Sequence, residues 1–190
     1  MALTTFVSGQ VLTAQQLNDS YAAVGGLRLI KTVTVGTAVT TVNVTSCFDT
    51  TYANYRVSWS GITASDDGAS MQFKMLVSTT ANTNGMYGNT YYVVNGTTAA
   101  LTAATAVSNG AAGECGSLSN AYVNAGWVDV MQPNIASATY TNFLGADDNY
   151  LRFGAYTVRN TTQYDGIQLL PVSGTLTGGT IRIYGYANTN

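Results

Sequence analysis

The sequence predicts an all-β chain: an antiparallel β-sandwich of jelly-roll type preceded by a short helical arm. Three observations predict it. Apolar and polar residues alternate with period two in run after run, the mark of strands with one buried face. Clusters of Gly, Asn and Asp separate the runs. After Gly26 almost nothing repeats at helical spacing. Roughly eight to ten short strands with such punctuation fit a two-layered sandwich.

The first element is the helix. Thr13 is an N-cap residue, Gln16 three positions on completes a capping box, and Leu12 and Leu17 stand where a hydrophobic staple needs them. Leu17, Tyr21 and Val24 then form one stripe before Gly25 and Gly26 stop the helix at about three turns. Isolated helices shorter than ~12–15 residues are marginal in water. Leu12, Leu17, Tyr21 and Val24 are therefore expected to dock on a partner. The chain divides into a docking arm over residues 1–26 and a sandwich domain over 27–190, long enough for one core and without an internal linker.

Within the domain, Leu27, Leu29, Val33 and Val35 alternate with polar neighbours up to Gly36, Lys31 being the exception, and predict a half-buried strand. Thr41–Thr45 alternates as well. Tyr55, Val57 and Trp59 face one way, with Arg56, Ser58 and Ser60 on the solvent side; Met71, Phe73, Met75 and Val77 repeat the pattern against Gln72 and Lys74. Ser65-Asp66-Asp67-Gly68 lies between these two runs as a hairpin-type turn. Later strands are predicted at Tyr91–Asn95, Ala125–Met131, Tyr150–Arg159, Gly166–Leu170 and Thr180–Ala187, with Tyr184 and Tyr186 on the face opposite Ile183. The small, uncharged tract Asn95–Asn120 reads as a long loop with room for one short strand, either ordered by a neighbouring subunit or mobile on the surface.

Composition narrows the function. Only 8% of residues are charged, against ~25% in an average soluble protein, while 46% are hydrophobic. That balance favours a folded domain over a disordered one. A net charge of −2 offers no electrostatic footprint for nucleic acid and little solubility by repulsion, which suits a subunit of an assembly. No apolar run approaches the ~18–20 residues of a membrane span. Met1–Thr5 lacks a basic and an apolar signal region, so synthesis in a reducing cytosol is expected. Cys47 and Cys115 are then buried free thiols or partners in a late disulfide.

There is no histidine and Glu114 is the only glutamate, which removes the usual catalytic triads, nearly all zinc sites and an obvious glycosidase pair. No enzyme activity and no cofactor are expected. Asp66-Asp67-Gly68 and Asp147-Asp148-Asn149 are turn formers, with calcium ligation as the alternative. Thirteen tyrosines include the cluster Met86–Tyr92. Tyr87, Tyr91 and Tyr92 can be ordinary strand-rim residues, a subunit contact or a platform that stacks on sugar rings.

Three stretches carry a family resemblance. Ser8-Gly-Gln-Val-Leu-Thr-Ala-Gln-Gln-Leu-Asn18 resembles the N-terminus of many tailed-bacteriophage virion proteins, particularly short tail fibres and minor tail proteins. Gly178–Gly185 is similar to the closing strand of that group, and Phe48–Trp59, with Tyr52-Ala-Asn-Tyr-Arg-Val57, to one of its core strands. The resemblance implies a non-enzymatic virion structural protein, made in the bacterial cytoplasm, that assembles as a homotrimer. It also implies docking on other tail or capsid proteins through the N-terminal arm and contact with a host-surface glycan. A capsid decoration protein is the rival role, and a bacterial carbohydrate-binding module the third. The middle of the chain, roughly 79–150, carries no resemblance.

Overall fold

The computed structural model describes Ser8, Gly9, Val11, Thr13 and residues 26–94, 101–148 and 150–187, with backbone alone at 92–94 and 101–105. The predicted helix, with Leu12, Leu17, Tyr21 and Val24, lies outside the described residues. The described chain forms fourteen strands. They are β1 (Leu27–Thr34), β2 (Val42–Val44), β3 (Asn54–Ala64), β4 (Ser70–Val77), β5 (Thr80–Ala81), β6 (Met86–Val94) and β7 (Leu101–Gly110), followed by β8 (Gly113–Ser117), β9 (Asn124–Met131), β10 (Thr139–Ala146), β11 (Tyr150–Val158), β12 (Gly166–Pro171), β13 (Leu176–Thr177) and β14 (Thr180–Tyr186). A large sheet runs β1-β14-β3-β9-β10-β11-β6-β7 with β13 beside β3; a small sheet runs β2-β12-β4-β5 with β8 also on β4.

The jelly roll is read directly from this order. β1-β14-β3-β9 face β2-β12-β4-β8, and outside the β6–β7 insertion the chain changes sheet between β1 and β2, β2 and β3, β3 and β4, β8 and β9, β11 and β12, and β12 and β13. Two insertions elaborate it. The hairpin β6–β7 sits between β4 and β8, and the pair β10–β11 follows β9. They meet in space as β10-β11-β6-β7 and nearly double the width of the large sheet.

Alternation builds the core as expected on the central strands. Tyr55, Val57 and Trp59 of β3 and Met71, Phe73 and Met75 of β4 are buried, joined by Val128, Val130, Ile167, Leu169, Ile181 and Ile183. On β3 the pairing shifts between Ser60 and Ile62, where Gly61 takes φ +75° and lets the inner side pass from odd to even positions, so that Ile62 and Ala64 are buried as well. The strand then turns out of its sheet. Ser65–Gly68 is thus a corner between layers, contrary to the hairpin expectation, since β3 and β4 belong to different sheets. Gly68 N donates to Leu118 O at 2.9 Å and Ala64 N to Ser119 O at 2.9 Å, pinning the corner to the strand that follows β8.

Other expectations are corrected. Leu27 and Leu29 do not enter the core: β1 is the outermost strand, its register slips between Leu29 and Lys31, and the two leucines are 42% and 58% exposed. Val77 is exposed while Leu76 is buried, because the end of β4 leaves the alternation of its start. The expected loop 95–120 contains the whole of β7 and of β8. Its small residues have a packing reason. A Cβ on Gly145 of β10 would lie 2.5 Å from Cys115 O and 2.8 Å from Gly116 Cα of β8. The two sheets therefore touch backbone to backbone here, far inside the usual ~10 Å spacing. Trp59 fills the adjoining space: its Cζ2 lies 2.4 Å from where a Cβ of Gly126 would be, and also borders Gly116 and Gly145.

Candidate functional site

Inside the sandwich the polar groups serve the structure. Glu114, the single glutamate, accepts a hydrogen bond from Arg152 Nη1 at 3.0 Å, both side chains being nearly buried. Tyr156 and Thr90 share a short hydrogen bond between β11 and β6, and Glu114 N donates to the same Tyr156 hydroxyl at 3.2 Å. Cys47 and Cys115 are both buried and unbonded to one another; burial pushes the Cys47 thiol up to about 12 and Cys115 well above its ordinary value. Of the acidic doublets, Asp67 accepts from Ser119 Oγ and Asn120 N, and Asp147 from Tyr150 N at 2.7 Å, the work of turn aspartates.

The outer face of the large sheet is different. Strand register aligns its outward residues in three rows that run across the strands. The upper row is Arg182, Ser58, Trp127, Leu144, Phe153 and Tyr91. The middle row is Tyr184, Arg56, Asp129, Asn142, Ala155 and Asn89, and the lower row Asn54, Met131, Tyr140, Thr157 and Tyr87. From β9 to β6 one outer row holds Trp127, Leu144, Phe153 and Tyr91 and the other Met131, Tyr140, Thr157 and Tyr87, while the middle row between them holds the shorter Asp129, Asn142, Ala155 and Asn89. The result is a shallow trough with largely aromatic walls and a mostly polar floor, crossing β9, β10, β11 and β6 and closed towards β3 by Arg56.

At one end the floor is an ordered polar cluster. Arg56 donates from Nε and Nη2 to the two carboxylate oxygens of Asp129, both at 2.7 Å, and Tyr186 Oη donates to Asp129 Oδ1 at 2.8 Å. The hydrogen bond to Asp129 holds the Arg56 guanidinium above its ordinary pKa. Its Cζ lies over the Trp127 ring, 4.5 Å from the centroid. Burial, and then the bond to Asp129, push the Tyr186 hydroxyl up to about 12. Beside this cluster is a depression lined by Asn54, Asp129, Met131 and Tyr186. Further along the floor, Asn142 Oδ1 is buried and accepts no hydrogen bond. A buried acceptor left this way costs ~1–3 kcal/mol.

Of the tyrosines singled out from sequence, Tyr87 and Tyr91 stand on this face in opposite walls. Tyr91 stacks on Phe153 with centroids 6.0 Å apart and 27° between planes, and Arg159 lies 4.4 Å over Tyr87. The backbone of Tyr92 pairs with Arg152, and its side chain lies outside the described residues. Sequence reasoning missed Trp127, Asp129, Tyr140, Asn142 and Phe153, and treated Arg56 as a plain solvent-side residue. The signal for the first two was present: in Trp127-Val-Asp-Val-Met131 the valines take the inner side, which leaves the tryptophan outside.

Fold and face together define a jelly-roll sandwich with an aromatic trough on its widened sheet. No family model matches the chain, and no curated protein or solved structure is significantly similar to it.

Proposed function

We propose that this chain is a non-enzymatic structural protein of a tailed-bacteriophage virion, of the tail-fibre, tail-tip or minor-tail class, and that the aromatic face of its large sheet is the surface through which it meets its target. The observation that carries the proposal is the face itself. An outer sheet surface in water needs only polar residues, whereas this one places Trp127, Phe153, Tyr91, Tyr140 and Tyr87 in ordered rows. The phage-like Ser8–Asn18 and Gly178–Gly185 stretches, the low charge and the absence of histidine support the structural role. In this reading the arm, residues 1–26, joins the protein to the virion, and the subunits associate as a homotrimer.

The test is to label intact particles with an antibody against the chain and count copies by quantitative mass spectrometry. A few copies to tens at the tail are expected. Hundreds spread over the head would replace the tail role by capsid decoration, and particles without the chain would end the virion assignment.

A further inference from the structure

We infer that copies of this chain join through two unlike surfaces, the acidic end of one subunit seating on the basic β1–β14 edge of the next. This rests on the proposed homotrimer and names the surfaces that meet in it. Charge is scarce in the chain and segregated. Of seven Lys and Arg and nine Asp and Glu, Arg56–Asp129 and Arg152–Glu114 pair within the sandwich. Arg28 and Lys31 of β1 and Arg182 of β14 stand on one edge of the large sheet. Arg182 faces outward between Thr32 and Ser58 and forms no ion pair among the described residues, and Lys31 Nζ donates to a carbonyl, Thr45 O, at 2.7 Å.

Asp66, Asp67, Asp147 and Asp148 stand at one end of the sandwich. Asn124 pairs with Ile62 and Ala125 with Ala146, so the loop 118–123 emerges between the corner Ser65–Gly68 and the turn that follows Ala146. These three segments contain no Lys or Arg. Each surface also carries apolar side chains in the open. Tyr122 and Val123 at the acidic end are 60% and 63% exposed, more than any other described large apolar residue of the sandwich domain; Leu29 on the basic edge is 58% exposed, beside Leu27 and Ile30. The loop is set before a partner arrives: Ser119 Oγ accepts from Ala121 N and Tyr122 N, both at 3.3 Å, and donates to Asp67 Oδ1 at 3.2 Å. Little order remains to be imposed on binding.

Opposite charge around exposed apolar residues identifies the partner as a second copy. A twofold contact would set each surface against itself, aspartates on aspartates or cations on cations, which repels. Unlike surfaces meet only in a heterologous contact, and such a contact builds a closed ring or an open filament. A partner adding as a strand to β1 fits less well, because the register shift between Leu29 and Lys31 interrupts the row of backbone groups it needs.

Sedimentation velocity of the full-length protein over a concentration series tests this. Self-association is expected, weakened at least about tenfold when salt rises to about 0.5 M and the screening length falls to about 4 Å. Tyr122→Ser and Leu29→Ser should each weaken it by a similar factor, the equivalent of ~1.4 kcal/mol, with unchanged melting temperatures. A charge exchange is the decisive arm. One variant carries Asp66→Lys and Asn120→Lys at the acidic end, the other Thr32→Glu and Arg182→Glu on the basic edge; each should be monomeric alone, and an equimolar mixture should associate. Where a charge variant does not fold, the two serine variants decide. Folded charge variants that fail to associate on mixing, or association indifferent to salt and to every substitution, overturn the inference and leave the homotrimer standing if the wild type is trimeric. A wild-type chain that stays monomeric overturns both, while the copy number in virions still decides the virion role.

Discussion

The two outward faces of the sandwich are built on the same principle and filled in opposite ways. On the small sheet, Asn43, Gln168 and Lys74 form one transverse row, and Gln168 Nε2 donates to Asn43 Oδ1 at 2.7 Å. That is a solvated surface of amides and one cation. On the large sheet the equivalent rows hold Trp127, Phe153, Tyr91 and Tyr140 beside a part-buried ion pair. Both faces cover comparable inner layers, so the fold does not demand the aromatics. The contrast also follows topology: the small-sheet face belongs to the basic jelly roll, whereas most of the aromatic rows stand on the inserted β10, β11 and β6.

The comparison assumes that the sheets are equivalent inside, and the largest expected effect tests that. Trp59→Ala in the large sheet and Phe73→Ala in the small one should each cost ~3–5 kcal/mol in chemical denaturation, since both are buried. A small loss at either would mean that one sheet contributes little to the core. Next is Asp129→Ala, which strips Arg56 and the Tyr186 hydroxyl of their shared partner. With the Arg56 side chain 29% exposed, solvent recovers part of the loss and ~1–3 kcal/mol is expected. Arg56→Ala should fall in the same range, where sequence alone suggested almost no cost.

A smaller effect is expected with pH. The Tyr186 hydroxyl is raised in the folded state from 10.0 to about 12. The unfolded chain therefore releases this proton first, and the stabilisation is complete below pH ~10 and lost as pH rises towards ~12. Tyr186→Phe should flatten part of the fall in melting temperature across that window, the remainder belonging to groups such as Tyr55, also raised to about 12 by burial. An unaltered slope would place Tyr186 in water, away from Asp129. The smallest effect belongs to the other face: Gln168→Ala should change stability by no more than ~0.5 kcal/mol, and a loss equal to that of Asp129→Ala would erase the distinction between the surfaces.

Alternation made the inner sides of β3, β4 and β14 legible because those strands meet a full-width core, where apolar means buried. It failed on β10. There the inner residues are Thr139, Thr141, Phe143 and Gly145 and the outer ones include Tyr140 and Leu144, so hydropathy points the wrong way. The close approach of β8 leaves no room for a side chain at Gly145, so small residues take the inner side at that end of the strand. Gly126 fell inside the predicted strand Ala125–Met131, but the reason for glycine there and at Gly145 was not legible, since their partners, Trp59 and the β8 backbone, are distant in sequence. Tyr87 and Tyr91 were found through local clustering. The trough was not, since its rows are assembled by register across four strands that no local window contains.

β14 lies between β1 and β3 and pairs with both, so the large sheet has its last-made strand near one edge as the bridge to its first. At ~5–20 residues per second, roughly 7–30 s separate the synthesis of Thr34 from that of Thr180. During that interval β1 has no native neighbour. β1 therefore cannot take its native place as the chain leaves the ribosome; the closure of that edge is a late event, governed by the arrival of β14. Chains stalled before Thr180 should accordingly be cut by protease around β1, where chains that include β14 resist, and early resistance of β1 would mean that a non-native pairing holds its place until β14 arrives.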